Sequence, residues 1–206
     1  IPYFANFVNS DLSPEDVRSM CCRLRLSNSE LRRRGGGLFG ANSLTGSIGV
    51  VTINMPRVAH ESIDENVFLW RVKRLMSIAR ESLKVKRDVI ESLTDKGLYP
   101  YSAYYLRDVK KRFGQYWANN FNTIGLIGMH EASLNLLGEP IVSDKGKTFA
   151  GRVLDFMNAQ LHDYQKEDEV LYNLEATPAE GASYRLALND AKEYGDEIHT
   201  SGEGVP

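Results

Sequence analysis

Short apolar runs bounded by turn residues alternate along the chain with longer stretches in which apolar positions recur every three or four residues. Residues 2–8 read as a strand. Ser13, Pro14, Glu15 and Asp16 supply a cap, a first-turn proline and early acids, so a short helix is expected to run towards Met20. Residues 23–37 are basic and polar, with arginines at 32–34 and glycines at 35–37, and read as an exposed loop. Residues 47–54 (SIGVVTIN) are β-branched and nearly all apolar, as in a parallel strand covered on both faces, and Pro56 is expected to close it.

Between 64 and 93, Phe68, Val72, Leu75, Met76, Ala79, Leu83, Ile90 and Leu93 recur at threes and fours, which predicts one long amphipathic helix packed back on that strand. A buried strand followed by a crossover helix implies a βαβ unit. A turn at 97–100 leads into a mixed aromatic and basic segment, 102–113, and residues 123–129 read as another apolar strand. A short helix at 131–137 ends at Gly138; Ser143 or Asp144 then caps a helix with Phe149, Val153, Phe156, Met157, Leu161 and Tyr164 on one face. Residues 170–176 form the last clear strand, 177–183 turn the chain, and a helix follows over 182–190. The order is that of an α/β fold, without internal repeat or domain linker.

Composition narrows the class. The 206 residues carry 25 Lys and Arg against 27 Asp and Glu, a net charge of −2, which gives no electrostatic reason to expect nucleic acid. With 42% hydrophobic residues the chain can bury a core of one domain, or part of a larger one. Its apolar runs, such as 48–51 and 124–129, are far shorter than the roughly 20 residues of a membrane span, and no secretory signal is visible. The chain opens on Ile1 and ends in a Gly-rich stretch, so a fragment of a longer protein is expected. The two cysteines, Cys21 and Cys22, are neighbours and cannot staple distant segments, which favours a reducing, cytoplasmic setting.

Three places offer chemistry. Adjacent thiols at the mouth of an α/β sheet can act as nucleophile, redox pair or radical carrier; two small buried thiols are the alternative. With only these thiolates, and with His60, His130, His162 and His199 at no ligand-like spacing, no zinc site is expected. The turn after the last strand places a Gly and a Ser at a helix start, where free N–H groups favour phosphate, although an ordinary cap uses the same residues. Glu175 stands at the carboxyl end of a buried strand, where parallel sheets hold ligands; a surface or salt-bridged Glu is the alternative. GGGLFG matches neither nucleotide fingerprint, and the arginines at 32–34 read as a solvated basic face. Tyr99, Tyr101, Tyr104 and Tyr105, with Lys110 and Lys111, have the chemistry to stack on bases, but half-buried packing is the commoner fate.

The segments YFANFVNSD, MCCRLRL, GGGLFGAN, TGSIGVVTIN, GLYPYS, NTIGLIGM and NLEATPAEGASYRLA, in this order, resemble the anaerobic (class III) ribonucleoside-triphosphate reductases over almost the whole chain. The resemblance implies part of a ten-stranded α/β barrel of the glycyl radical enzyme type, with residues 1–206 a single barrel fragment. It also implies a finger loop at about 20–46 and a phosphate-binding turn at about 177–184. Cys22 would be the thiyl radical cysteine that abstracts the ribose 3′ hydrogen, with Met20 and Cys21 beside it. Gly181, Ala182 and Ser183 would contact the phosphates, Glu175 would lie near the ribose, and Asn6 and Asn173 would position the sugar.

Some relatives carry Asn where this chain has Ser47 and use formate as reductant; the resemblance therefore implies formate or a thioredoxin-like protein as reductant, Ser47 and the vicinal cysteines making room for the second. The family further implies ribonucleoside triphosphates as substrates, ATP and dATP as effectors, a homodimer, and a radical-SAM iron–sulfur activase. That activase generates a glycyl radical on a segment outside this sequence. No glycyl-radical motif and no four-cysteine zinc cluster occurs in these residues, so zinc belongs to the full-length protein only and the fragment is not expected to act alone. Two rivals remain: a pyruvate formate-lyase-like acyltransferase, which also uses adjacent cysteines, and a nucleotide-binding module without catalysis.

Overall fold

The computed structural model describes residues 17–20, 24–27 and 46–200. The expected strand at 2–8, Asn6, Cys21, Cys22, the arginines at 32–34 and most of the expected finger loop lie outside these residues. Strands β1 (Val17–Met20) and β2 (Leu24–Ser27) pair antiparallel, Val17 opposite Ser27 and Met20 opposite Leu24. This corrects two expectations, since no helix reaches Met20 and the basic stretch contains a strand. Within 24–27 the sequence Leu-Arg-Leu-Ser alternates with period two, a strand pattern that the surrounding charge conceals.

The chain divides into two compact units, one of residues 1–48 with 87–121 and one of 49–86 with 122–206. The remaining elements are β3 (Gly46–Asn54), α1 (Met55–His60), α2 (Glu65–Asp95), α3 (Pro100–Phe113), β4 (Asn120–Ile127), α4 (Met129–Leu137), α5 (Asp144–Asp168), β5 (Tyr172–Ala176) and α6 (Glu180–Tyr194).

In the first unit, side chains of α2 hold the turn ahead of β4. The Arg87 guanidinium donates to the carbonyls of Trp117 and Asn120, Glu91 accepts from the N–H groups of Tyr116 and Trp117, and the Trp117 indole donates to Thr94. The aromatic and basic segment is helical, α3, with Leu106 and Val109 buried. Tyr101, Tyr104 and Tyr105 are exposed rather than half-buried, and Arg107 covers the Tyr104 ring at 4.3 Å.

The second unit is built on the sheet order β3-β4-β5, with β4 and β5 parallel. Phe68, Val72, Met76, Ala79 and Leu83 of α2, and Phe149, Val153 and Met157 of α5, are buried together with Ile53 and Ile124. Each such large apolar side chain contributes about 1.5–3 kcal/mol on burial. Leu75, read as part of that face, is partly exposed. Ser143 caps α5 by accepting from the Gly146 N–H, and a side chain at Gly146 would meet the Pro140 carbonyl. Pro56 does not simply close β3: it occupies the first turn of α1, whose Met55 and Ala59 are fully buried.

Register decides what each face of the sheet carries. Thr123 lies opposite Asn173 and Gly125 opposite Glu175, while Ile124 and Leu126 alternate with them and enter the core. Because side chains alternate along a strand, Thr123, Gly125, Asn173 and Glu175 share the face turned away from that core.

Candidate functional site at the carboxyl end of the sheet

Two groups on that face have unmet chemistry. Glu175 is 8% exposed, and among the described residues nothing hydrogen-bonds or ion-pairs with its carboxyl. Burial pushes its pKa above the ordinary value. Two residues earlier, both polar atoms of the Asn173 amide are buried and find no hydrogen-bond partner among the described residues. An unsatisfied buried amide is costly, so a pair of such residues on one strand face marks a place where a polar ligand would restore the lost bonds.

The chain leaves this face through Thr177. Its N–H donates to the Leu126 carbonyl, and its hydroxyl accepts from Thr52 at 3.1 Å. Gly125 makes the approach possible: a Cβ there would stand 1.9 Å from the Thr177 hydroxyl oxygen. Helix α6 then starts from Ala179, at φ 45°, with no side chain capping it. Gly181 and Ala182 lie in its first turn, and space around Gly181 is open. Ser183 lines a cavity of about 170 Å³ with Asn54, Gly128, Glu131 and Asp190.

Further along α6, Asp190 is 2% exposed. It accepts from the Asn54 amide at 2.6 Å, and Arg57 Nε lies 2.8 Å from its other oxygen as an ion pair without hydrogen-bond alignment. Arg57 also pairs with Glu193 and covers the Tyr194 ring.

Of the residues singled out in the sequence, Glu175, Asn173, Gly181, Ala182 and Ser183 therefore belong to one unit, on β5 and the helix that follows it. Ser47 is exposed at the start of β3, in the other unit, its hydroxyl 3.4 Å from the Phe121 carbonyl. Met20 ends β1. Thr52, Asn54, Gly125, Thr177 and Asp190 were not singled out. The signal for two of them was present, since Thr52 and Asn54 are polar residues two apart following the apolar run 48–51. Among the described residues no cluster of His, Cys, Asp and Glu is placed to hold a metal, and no helix is long and apolar enough to cross a membrane.

The family model for anaerobic ribonucleoside-triphosphate reductase matches residues 1–203. The reductase of that name from Enterobacteria phage T4 is 28% identical over 201 residues, covering 91% of this chain and 31% of the relative. Its counterpart from Haemophilus influenzae is 26% identical over 159 residues, covering 72% and 22%. The anaerobic ribonucleotide reductase from Thermotoga maritima with citrate in the active site superposes with a TM-score of 0.63 at 25% identity, over 74% of this chain and 28% of that one. The same enzyme with dATP in the specificity site gives 0.63 at 25% identity, over 74% and 26%. The chain thus spans about a third or less of the length of these relatives. The match over nearly every residue carries the conclusion, and the parallel pairing of β4 and β5 is in keeping with it: the chain belongs to the anaerobic ribonucleoside-triphosphate reductase family.

Proposed function

We propose that this chain is the part of an anaerobic reductase barrel that holds and reduces the ribose of a ribonucleoside triphosphate. The observation that carries the reading is the pairing of an unsatisfied carboxyl and an unsatisfied amide, Glu175 and Asn173, on the strand that leads into an uncapped helix start. The phosphates lie at the first turn of α6, contacted by Gly181, Ala182 and Ser183, where N–H groups and the helix dipole favour negative charge. Asn173, with Asn6, hydrogen-bonds the sugar. Glu175 holds or moves a proton at a ribose hydroxyl, a role in keeping with the upward push that burial gives its pKa.

Cys22, near the tip of a finger loop at about 20–46 and flanked by Met20 and Cys21, acts as the thiyl radical. It takes the 3′ hydrogen atom, so that an S–H bond forms as the C–H bond breaks and the unpaired electron passes to the ribose carbon. The two bonds are close in strength, which keeps the step reversible. A glycyl radical outside this sequence, generated by an S-adenosylmethionine and iron–sulfur activase, supplies the unpaired electron. Ser47 and the vicinal Cys21 and Cys22 favour a thioredoxin-like reductant over formate. The whole protein works as a ten-stranded barrel in a cytoplasmic homodimer regulated by ATP and dATP, with zinc held outside this sequence. Family membership favours the reductase over the acyltransferase reading.

The test is Cys22→Ala in the complete, activated protein. Deoxynucleotide formation is expected to vanish while the electron paramagnetic resonance signal of the glycyl radical persists; substantial residual reduction would overturn the assignment.

A further inference from the structure

Strand β3 holds the segment containing the start of α6 at two points. Thr52 and Asn54, two apart and therefore on one face of the strand, each hold one part of it. Thr52 donates to Thr177, three residues ahead of the helix, at 3.1 Å. Asn54 donates to Asp190, in the third turn, at 2.6 Å, and Arg57, just beyond the strand, adds the ion pair at 2.8 Å. Both contacts are specific. Thr177 fits only because Gly125 has no side chain, and Asp190 is almost wholly buried, where a carboxylate is tolerated only with partners. Asn54 and Asp190 also line the same small cavity as Ser183.

From this geometry we infer that Thr52 and Asn54 are positioning residues for the substrate's phosphate groups. By fixing the chain on both sides of residues 179–183, they set where the first-turn N–H groups and the Ser183 hydroxyl stand. The inference rests on the proposal that this helix start receives the phosphates. Neither Thr52 nor Asn54 is asked to touch the reacting atoms. Their removal should weaken phosphate binding without altering the radical step, because small displacements of a binding group are costly while the chemistry elsewhere is untouched.

The experiment uses the complete, activated protein, with steady-state kinetics on a ribonucleoside triphosphate and inorganic triphosphate as competitor. Thr52→Val, Thr177→Val and Asp190→Asn are each expected to raise KM and the competitor's Ki in parallel by about tenfold, with kcat changed less than about twofold and the glycyl radical yield unchanged. Thr52→Ser keeps the hydroxyl and should restore both constants to near wild-type values. Should Asp190→Asn fail to fold, the Thr52→Val and Thr52→Ser pair decides alone. Unchanged KM and Ki in these variants, with triphosphate competing normally against the wild type, would overturn the positioning role while leaving the phosphate site standing. Failure of triphosphate to compete with the wild type would remove the phosphate site, and this inference with it.

Discussion

Two carboxylates, one ahead of strand β5 and one near its carboxyl end, each have little exposed surface, and their surroundings are opposite. Asp168, at the end of α5, has an 8% exposed side chain and is fully engaged. Arg80 grips it through Nε and Nη2 at 2.7 and 2.6 Å, the Tyr172 hydroxyl donates at 2.7 Å, and Lys84 stands 3.3 Å away. Its pKa falls to about 2, chiefly through the Arg80 bonds. Arg80 in turn covers the Tyr164 ring at 4.6 Å. Glu175, at the other end, has no such partner among the described residues, and burial moves its pKa upward. A carboxylate saturated with donors ties elements together and takes up a proton only in strong acid. One that is buried and unpaired costs stability and keeps proton chemistry available, which is the signature of a working site.

The comparison fails if Glu175 is dispensable, so its replacement carries the largest expected effect. Glu175→Gln in the complete activated protein should lower kcat/KM for ribonucleotide reduction by about 10²- to 10⁴-fold, the usual range for losing a positioned acid or base. An assay of deoxynucleotide formation checks it, and an effect below about threefold would place Glu175 with the structural carboxylates. Next comes Arg80→Met, which leaves Asp168 buried with too few partners. Denaturant unfolding should show a loss of about 2–3 kcal/mol, tempered by the residual solvent access of the pair, with kcat/KM for the folded protein nearly unchanged.

The smallest and sharpest test is the pH dependence of unfolding in Asp168→Asn and Glu175→Gln. Asp168 is depressed from 3.8 to about 2, so its stabilising contribution is present above pH 3.8 and is lost as pH falls towards 2. Glu175 is raised from 4.5, so the folded state favours its neutral form; that contribution is complete below 4.5 and is lost as pH rises through the higher folded-state value. The wild type should therefore lead Asp168→Asn at neutrality and converge with it in acid, by about 1 kcal/mol or more. Glu175→Gln should match the wild type below pH 4.5 and gain on it towards neutrality. Slopes of the same sign would contradict the contrast.

What the amino-acid order revealed depended on how much of each signal was local. Long periodic stretches were legible: α2 and α5 bury most of the faces read from their threes and fours, and the Ser143 cap and the Gly138 end of α4 lie where local backbone chemistry puts them. Met55–His60 was missed because fewer than two turns give no period to read, and because Pro56 serves a helix start as readily as a strand end. The hairpin of β1 and β2 was hidden by its charge. Glu175 was visible as a residue at a strand end, but that it would be neither surface nor salt-bridged depends on which partners the fold withholds. Thr177 and Asp190 became meaningful only once the fold brought Thr52 and Asn54 to them, across 125 and 136 positions of chain.

Gly125 carries a consequence for how such chains diversify. The Thr177 hydroxyl fills the space that a β-carbon at 125 would need, so neither position is free to drift while the other stays put. Lineages that acquire alanine at 125 should have trimmed 177 to glycine or moved the turn, and those that keep a hydroxyl at 177 should keep glycine at 125. The two sites would then be inherited as a linked pair, although fifty-two positions separate them.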